Sequence, residues 1–295
     1  MLLTHRVRPA YQLLIFFILS VFILITLQSF FLTNDQYIFL LLFLIFMLGF
    51  PHGALDVIML ERLSSNKKVK IRWQKRAFSY GLYLSTVFVC IIFWVFFPNI
   101  SLTLFLTLSV LHFRSDWLSI GKPSFGILMA SIFVCGSALV HEKVLINFFT
   151  LLGTNQDFAT LIILTMKLIS CAVTIVFICN WFLNAYKRTQ SIIALGLFIL
   201  VCTVNPLSIF VAYFAFYHSI IHTKKIINDN QLSLISLIRW LLIPMCLTSL
   251  IGYYLYHNIG NRQQPLEQLF YLIFIGLFAL TIPHMVLSKI YEIKK

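Results

Sequence analysis

The chain has 295 residues, of which 60% are hydrophobic and 11% charged, and its mean hydropathy is +0.95. Soluble domains carry about 25% charged residues, so a water-soluble globule is excluded and one integral-membrane domain, residues 1–295, with short loops is expected. The net charge of +13 does not imply nucleic acid as a partner, because the chain offers no folded module for reading a groove. The charge is instead concentrated. Arg62, Lys67, Lys68, Lys70, Arg72, Lys75 and Arg76 share one predicted loop, as the positive-inside rule expects of a cytoplasmic one. The six cysteines lie scattered in apolar segments without CxxC spacing, which reads as packing and not as disulfides or a zinc site.

In chain order, apolar stretches bounded by Asn, Asp, Gly and Pro predict spans over 11–32, 37–62, 77–97, 100–120 and 124–141, then 158–186, 191–204, 207–227, 234–256 and 266–289. The first is long for a signal-peptide core and lacks a small-residue cleavage pattern, so it reads as a retained span. The stretch 191–204 is short for a span of about 20 residues, and Val144 to Met166 reads as partly interfacial. The expected fold class is all-α: a polytopic integral-membrane helical bundle of about ten transmembrane helices. Placing Arg6 and Arg8 inside puts Lys122, Lys187, Arg188, Lys224, Lys225 and the C-terminal lysines on the same side. A multi-pass protein of the cell's inner (plasma) membrane with both termini cytoplasmic follows.

The second span contains Gly49-Phe50-Pro51-His52-Gly53-Ala54-Leu55-Asp56. An ionisable side chain at membrane depth costs about 2.5–3.5 kcal/mol or more, which makes it a functional-site candidate. His52 and Asp56 are four apart and would share a helical face. Pro51 has no N–H for the Met47 carbonyl. Gly53 leaves room for another backbone, an ion or a ligand. Four further histidines, His112, His218, His222 and His284, fall with His52 in the cytoplasmic halves of the second, fourth, eighth and tenth spans. All four spans run from outside to inside. His218 and His222 are spaced i,i+4, so both imidazoles can serve one ion. His112 and Asp116 repeat the His52–Asp56 spacing, which suits a metal ligand followed by a carboxylate that accepts a ring N–H from another helix. Pro283-His284 repeats the Pro51-His52 pairing.

Plainer readings exist for each element. A lone histidine in a membrane helix more often makes an interhelical hydrogen bond than binds metal, and Asp116 could pair with Arg114 or Lys122. The 30 phenylalanines and 12 tyrosines are what lipid-facing surfaces and interfacial belts require. Five histidines at one depth on four helices nevertheless favour a shared metal site. Imidazole alone does not choose among zinc, copper, iron and nickel.

In these stretches, together with Leu111-His112-Phe113-Arg114-Ser115-Asp116, Tyr213-Phe214-Ala215-Phe216-Tyr217-His218-Ser219-Ile220-Ile221-His222 and Ile282-Pro283-His284-Met285, the chain resembles the Brp/Blh family of bacterial and archaeal membrane proteins. These are β-carotene 15,15′-dioxygenases that supply retinal to rhodopsins. The resemblance implies non-haem iron(II), Fe(2+), held by His52, His112, His218 and His222; Asp56 and His284, beside the Pro51 and Pro283 turns, are expected to support the site from outside that ligand set. It implies β-carotene and O2 as substrates, surrounding membrane lipid, and a functional link to a retinal-binding rhodopsin. Arg114 departs from the small residue expected after the His-Phe pair, which bears on the carotenoid accepted more than on the metal. The competing expectations are a histidine-ligated membrane haem protein, a di-iron desaturase or hydroxylase, and a metal or proton transporter. An i,i+4 pair on one helix suits facing haem ligands poorly, the desaturases resemble larger histidine arrays, and a relay would spread its polar groups over several depths.

Overall fold

The computed structural model describes residues 2–64, 69–183, 185–258 and 264–294. These form helices and turns, and no strand occurs among them. In chain order the helices are α1 (Leu2–Phe30), α2 (Asn34–Leu44), α3 (Phe50–Ala54), α4 (Asp56–Ser64), α5 (Val69–Phe96), α6 (Pro98–Phe113) and α7 (Pro123–Cys135). They continue with α8 (Glu142–Leu151), α9 (Gln156–Phe182), α10 (Arg188–Thr203), α11 (Pro206–Tyr213), α12 (Ser219–Asn230), α13 (Leu234–Asn258) and α14 (Pro265–Lys294). Starts follow local chemistry. Prolines open α6, α7, α11 and α14, where the missing N–H has no helical role. The Asn155 and Asn205 side chains cap α9 and α11 by accepting from the Phe158 and Leu207 N–H groups.

Among the described residues, four helical segments are long and apolar enough to cross a membrane: Gln74–Phe96, Gln156–Phe182, Ile235–Asn258 and Pro265–Lys294. A fifth crossing arises if Pro123–Leu139 and Glu142–Leu151, bent by 102° to each other, count together. Helices occupy all ten stretches expected from the sequence, and among the described residues Leu14–Phe30, Asn34–Gly49 and Arg188–Thr203 are apolar but shorter than such a crossing. The physical reason is visible in the stretch 37–62. There α2 gives way to a π-helical turn at Ile45–Gly49, then to α3 and, after a break at Leu55, to α4. A second π turn, Phe214–His218, divides α11 from α12. The basic segment also differs from the expected loop. Helix α5 begins at Val69, so Lys70, Arg72, Lys75 and Arg76 stand on its first turns, while Lys67 and Lys68 fall outside the described residues. Arg76 pairs with Glu61.

The chain divides into two compact units, residues 1–37 with 98–218, and residues 38–97 with 219–295. In the first, α7 packs against α6, α9, α10 and the 3-10 turn Arg114–Trp117, while α1 lies against α11. The approach of α7 to that turn requires Gly126, since a Cβ there would stand 2.6 Å from the Arg114 carbonyl oxygen. In the second unit α14 packs along α5 and α4, α13 meets α3, and Trp94 meets Phe278 edge-on at 4.9 Å. Leu55, Ile58, Met59, Ile226, Leu237 and Leu287 form a buried cluster in this unit.

Candidate metal centre

In the first unit, the residues around His218 hold its ring from both sides. Its Nδ1–H donates to Asp116 Oδ2 at 2.8 Å, and its Nε2 lies 2.9 Å from His112 Nε2. Tyr213 OH donates to the same Asp116 oxygen at 2.8 Å. Tyr213 and His218 are five residues apart, a spacing that a regular α-helix turns to different faces. The π turn Phe214–His218, whose backbone bonds run i to i+5, brings both to one carboxylate. Asp116 itself lies on the 3-10 turn after α6, so its carboxylate is aimed by that turn and not by a continuous helix. It serves His218 and Tyr213, which displaces the alternative in which it pairs with Arg114 or Lys122. His218 is 0% and Asp116 4% exposed. Leaving a carboxylate that dry is costly unless its lone pairs are taken, and the two donors answer that need at Oδ2. Rings of Phe113, Phe133, Trp117 and Tyr217 pack around Tyr213 and exclude water.

His222 follows His218 by one turn on the continuous helical run of 206–230. His112 and His218, both in the first unit, bring their Nε2 atoms together, and these two residues fit a metal; the i,i+4 spacing makes His222 a candidate third donor. With Nδ1–H given to Asp116, the lone pair of His218 sits on Nε2, the atom that meets His112. Imidazole nitrogens bind a divalent ion such as zinc at about 2.0–2.1 Å, so two on one ion at a right angle stand about 3 Å apart, close to the spacing seen.

The second unit repeats the chemistry. Asp56, 2% exposed, accepts from His284 Nδ1–H at 2.7 Å through Oδ1 and from Tyr83 OH at 2.8 Å through Oδ2. Each carboxylate that follows a histidine by four therefore holds a histidine from another helix, with a tyrosine as its second donor. The His222 and His284 ring centroids are 5.7 Å apart. Ser219 Oγ donates to the Leu48 carbonyl at 2.5 Å, tying the start of α12 to the π turn that precedes Pro51. His52 lies in α3, but its side chain is outside the described residues. The expected i,i+4 face of His52 and Asp56 is interrupted at Leu55, where α3 ends.

The family model described as beta-carotene 15,15′-dioxygenase matches residues 43–292. The chain belongs to the β-carotene 15,15′-dioxygenase family. It is thereby an oxidoreductase of the carotenoid-cleaving dioxygenase kind. A curated relative, the beta-carotene 15,15′-dioxygenase of an uncultured marine bacterium, 66A03, is 28% identical over 259 residues, covering 83% of this chain and 90% of that protein. No solved structure matches the chain. The family match runs through both compact units and contains all five histidines of interest.

The tyrosines that complete each carboxylate, Tyr213 and Tyr83, did not stand out in the sequence. Tyr213 is five residues from His218, and a period of 3.6 assigns it elsewhere. Only the π turn makes the pair legible. Tyr83 is distant in sequence from Asp56 and carried no local signal.

Proposed function

We propose that the chain cleaves the central 15,15′ double bond of β-carotene with O2 to give two retinal molecules, using iron(II) held by His52, His112, His218 and His222. The observation that carries this reading is the meeting of the His112 and His218 Nε2 atoms at 2.9 Å, with the second ring held by Asp116, in a chain of the dioxygenase family. His52 joins them because it occupies the family's histidine position in the Pro51-His52-Gly53 turn.

Iron(II), when bound, supplies the activation of dioxygen. The chain's own residues do the rest. Asp116 and Tyr213 fix the tautomer and orientation of His218, so that its Nε2 points at the ion. Asp56 and Tyr83 do the same for His284, whose ring supports His222 from beyond the donor set. Phe113, Trp117 and Tyr217 pack around Tyr213 and keep water from the His218–Asp116 pair, which strengthens the electrostatic interactions there. The substrate is a membrane-soluble hydrocarbon, so binding orients one double bond while the bilayer supplies it. About ten transmembrane helices, short ones such as α10 included, cross the inner membrane with both termini cytoplasmic. The lysine and arginine alternation supports this arrangement. The whole chain works as one catalytic domain, and a retinal-binding rhodopsin is the product's natural recipient.

The test is expression in a bacterium that accumulates β-carotene. Colonies should lose their orange colour and retinal should be found by chromatography. Full pigment and no retinal, with the protein present in the membrane fraction, would reject the reading.

A further inference from the structure

The second unit contains an apolar cleft of about 550 Å³, walled by α2, α3, α5, α13 and α14. Its long dimension follows from the residues that line it. On α14 they run from Leu269 to Leu280, eleven residue steps and hence about 16 Å at 1.5 Å each. The inner end is set by Leu280, one helical turn before His284, and by Tyr83. The outer end carries Phe39, Tyr256 and His257. Tyr83, Thr248 and Ser249 are the polar side chains toward the inner end, and their hydroxyls are given to Asp56 and to the Pro244 and Met245 carbonyls. Phe39, Phe43 and Ile251 line the cleft and are 53%, 45% and 45% exposed, which makes it open sideways. In a membrane, that side is lipid.

Width is controlled at one point. A Cβ on Gly276 would stand 3.3 Å from Phe50 Cζ, and both residues line the cleft. Phe50 lies on α3, two residues before His52, so the wall of the slot is also the turn that carries a proposed ligand. Glycine at 276 leaves the space that any larger residue would fill, opposite a ring that packing against Phe46 at 5.5 Å holds in place.

We infer that this cleft binds one linear half of the polyene substrate, entered from the bilayer, with its end group toward Tyr256 and His257 and its centre directed past Tyr83 toward Asp56 and His284. Gly276 against Phe50 sets the width of chain that can pass. The inference rests on the carotenoid-cleaving reading given above, and it adds where half the substrate lies and which residues select it. A slot that admits the methyl-branched polyene and ends one turn from His284 places a defined distance between end group and reacting bond. That distance is what a central cleavage requires.

The test uses full-length, metal-free protein in lipid nanodiscs under nitrogen, titrated with β-carotene and followed by the induced circular dichroism of the polyene. Gly276→Leu should weaken binding about tenfold or more, the scale on which a methylene-sized change in an apolar pocket acts. Gly276→Leu combined with Phe50→Leu should recover most of that loss, which a general packing defect would not do. Leu272→Trp, on another stretch of the same wall, should also weaken binding and serves if Gly276→Leu does not fold. Folded Gly276→Leu and Leu272→Trp that bind as the wild type does would overturn the slot. Cleavage by the wild type alongside such a result leaves the proposed function standing. Carotenoid binding that responds to Gly276 while iron-loaded wild type makes no retinal supports the slot and sinks the function instead.

Discussion

Replacing Asp116 by Asn isolates what the buried carboxylate does for the metal site. Asn keeps the volume, but His218 Nδ1–H and Tyr213 OH share one oxygen of Asp116, and Asn offers that place a neutral oxygen or an NH2 group. Both donors lose their charged acceptor, and a hydrogen bond to a charged group contributes about 1.5–3 kcal/mol. At about 1.4 kcal/mol per factor of ten, iron affinity should fall about 10- to 100-fold, the range typical of residues that orient a ligand. Tyr213→Phe removes a donor and leaves the Asp116–His218 bond, so its effect should be smaller, about 0.5–1.5 kcal/mol. Iron(II) affinity is measured anaerobically by competition with a calibrated chelator, with thermal unfolding of the metal-free protein as the control for packing. Asp116→Asn protein that folds and holds iron within about twofold of wild type would refute the orienting role.

His52→Ala, His112→Ala, His218→Ala and His222→Ala should each lose most bound iron and nearly all retinal formation. His284→Ala and Asp56→Asn should keep most of the iron and lose activity by about 10- to 100-fold; iron stoichiometry measured beside retinal yield separates the groups, and iron lost from His284→Ala but kept by His112→Ala reverses the assignment. Chelation of the purified protein should stop cleavage and added iron(II) should restore it, whereas activity persisting in iron-depleted protein would falsify the iron requirement. A reporter fused after residue 70 should report a cytoplasmic location, and a periplasmic signal there rejects the topology.

The apolar stretches placed the helices because each is punctuated by residues with strong local physics. Asn155 and Asn205 cap, and Pro98, Pro123, Pro206 and Pro265 open helices. Such signals act within a turn or two and need no partner. The crossing number was less legible. Pro51, Gly49 and the π turn break the second stretch into pieces, and hydropathy averaged over a window does not register where a hydrogen-bond ladder changes its step.

The sequence by itself determined that the chain is an apolar all-helical protein and that His52, His112, His218, His222 and His284 are candidates for one shared site. The i,i+4 spacing of His218 and His222 confines two of the rings to neighbouring turns, and covalent geometry enforces that. Which donor meets which acceptor was decided by tertiary structure alone. Asp116 faces His218 and Asp56 faces His284 across more than one hundred intervening residues in each case, and Tyr83 closes the second set from a third helix. The apolar cleft beside it belongs to the same class of fact. Leu269, Phe50 and Tyr83 are unremarkable side chains in any membrane helix, and only the packing of α14 against α5 and α3 leaves a space between them.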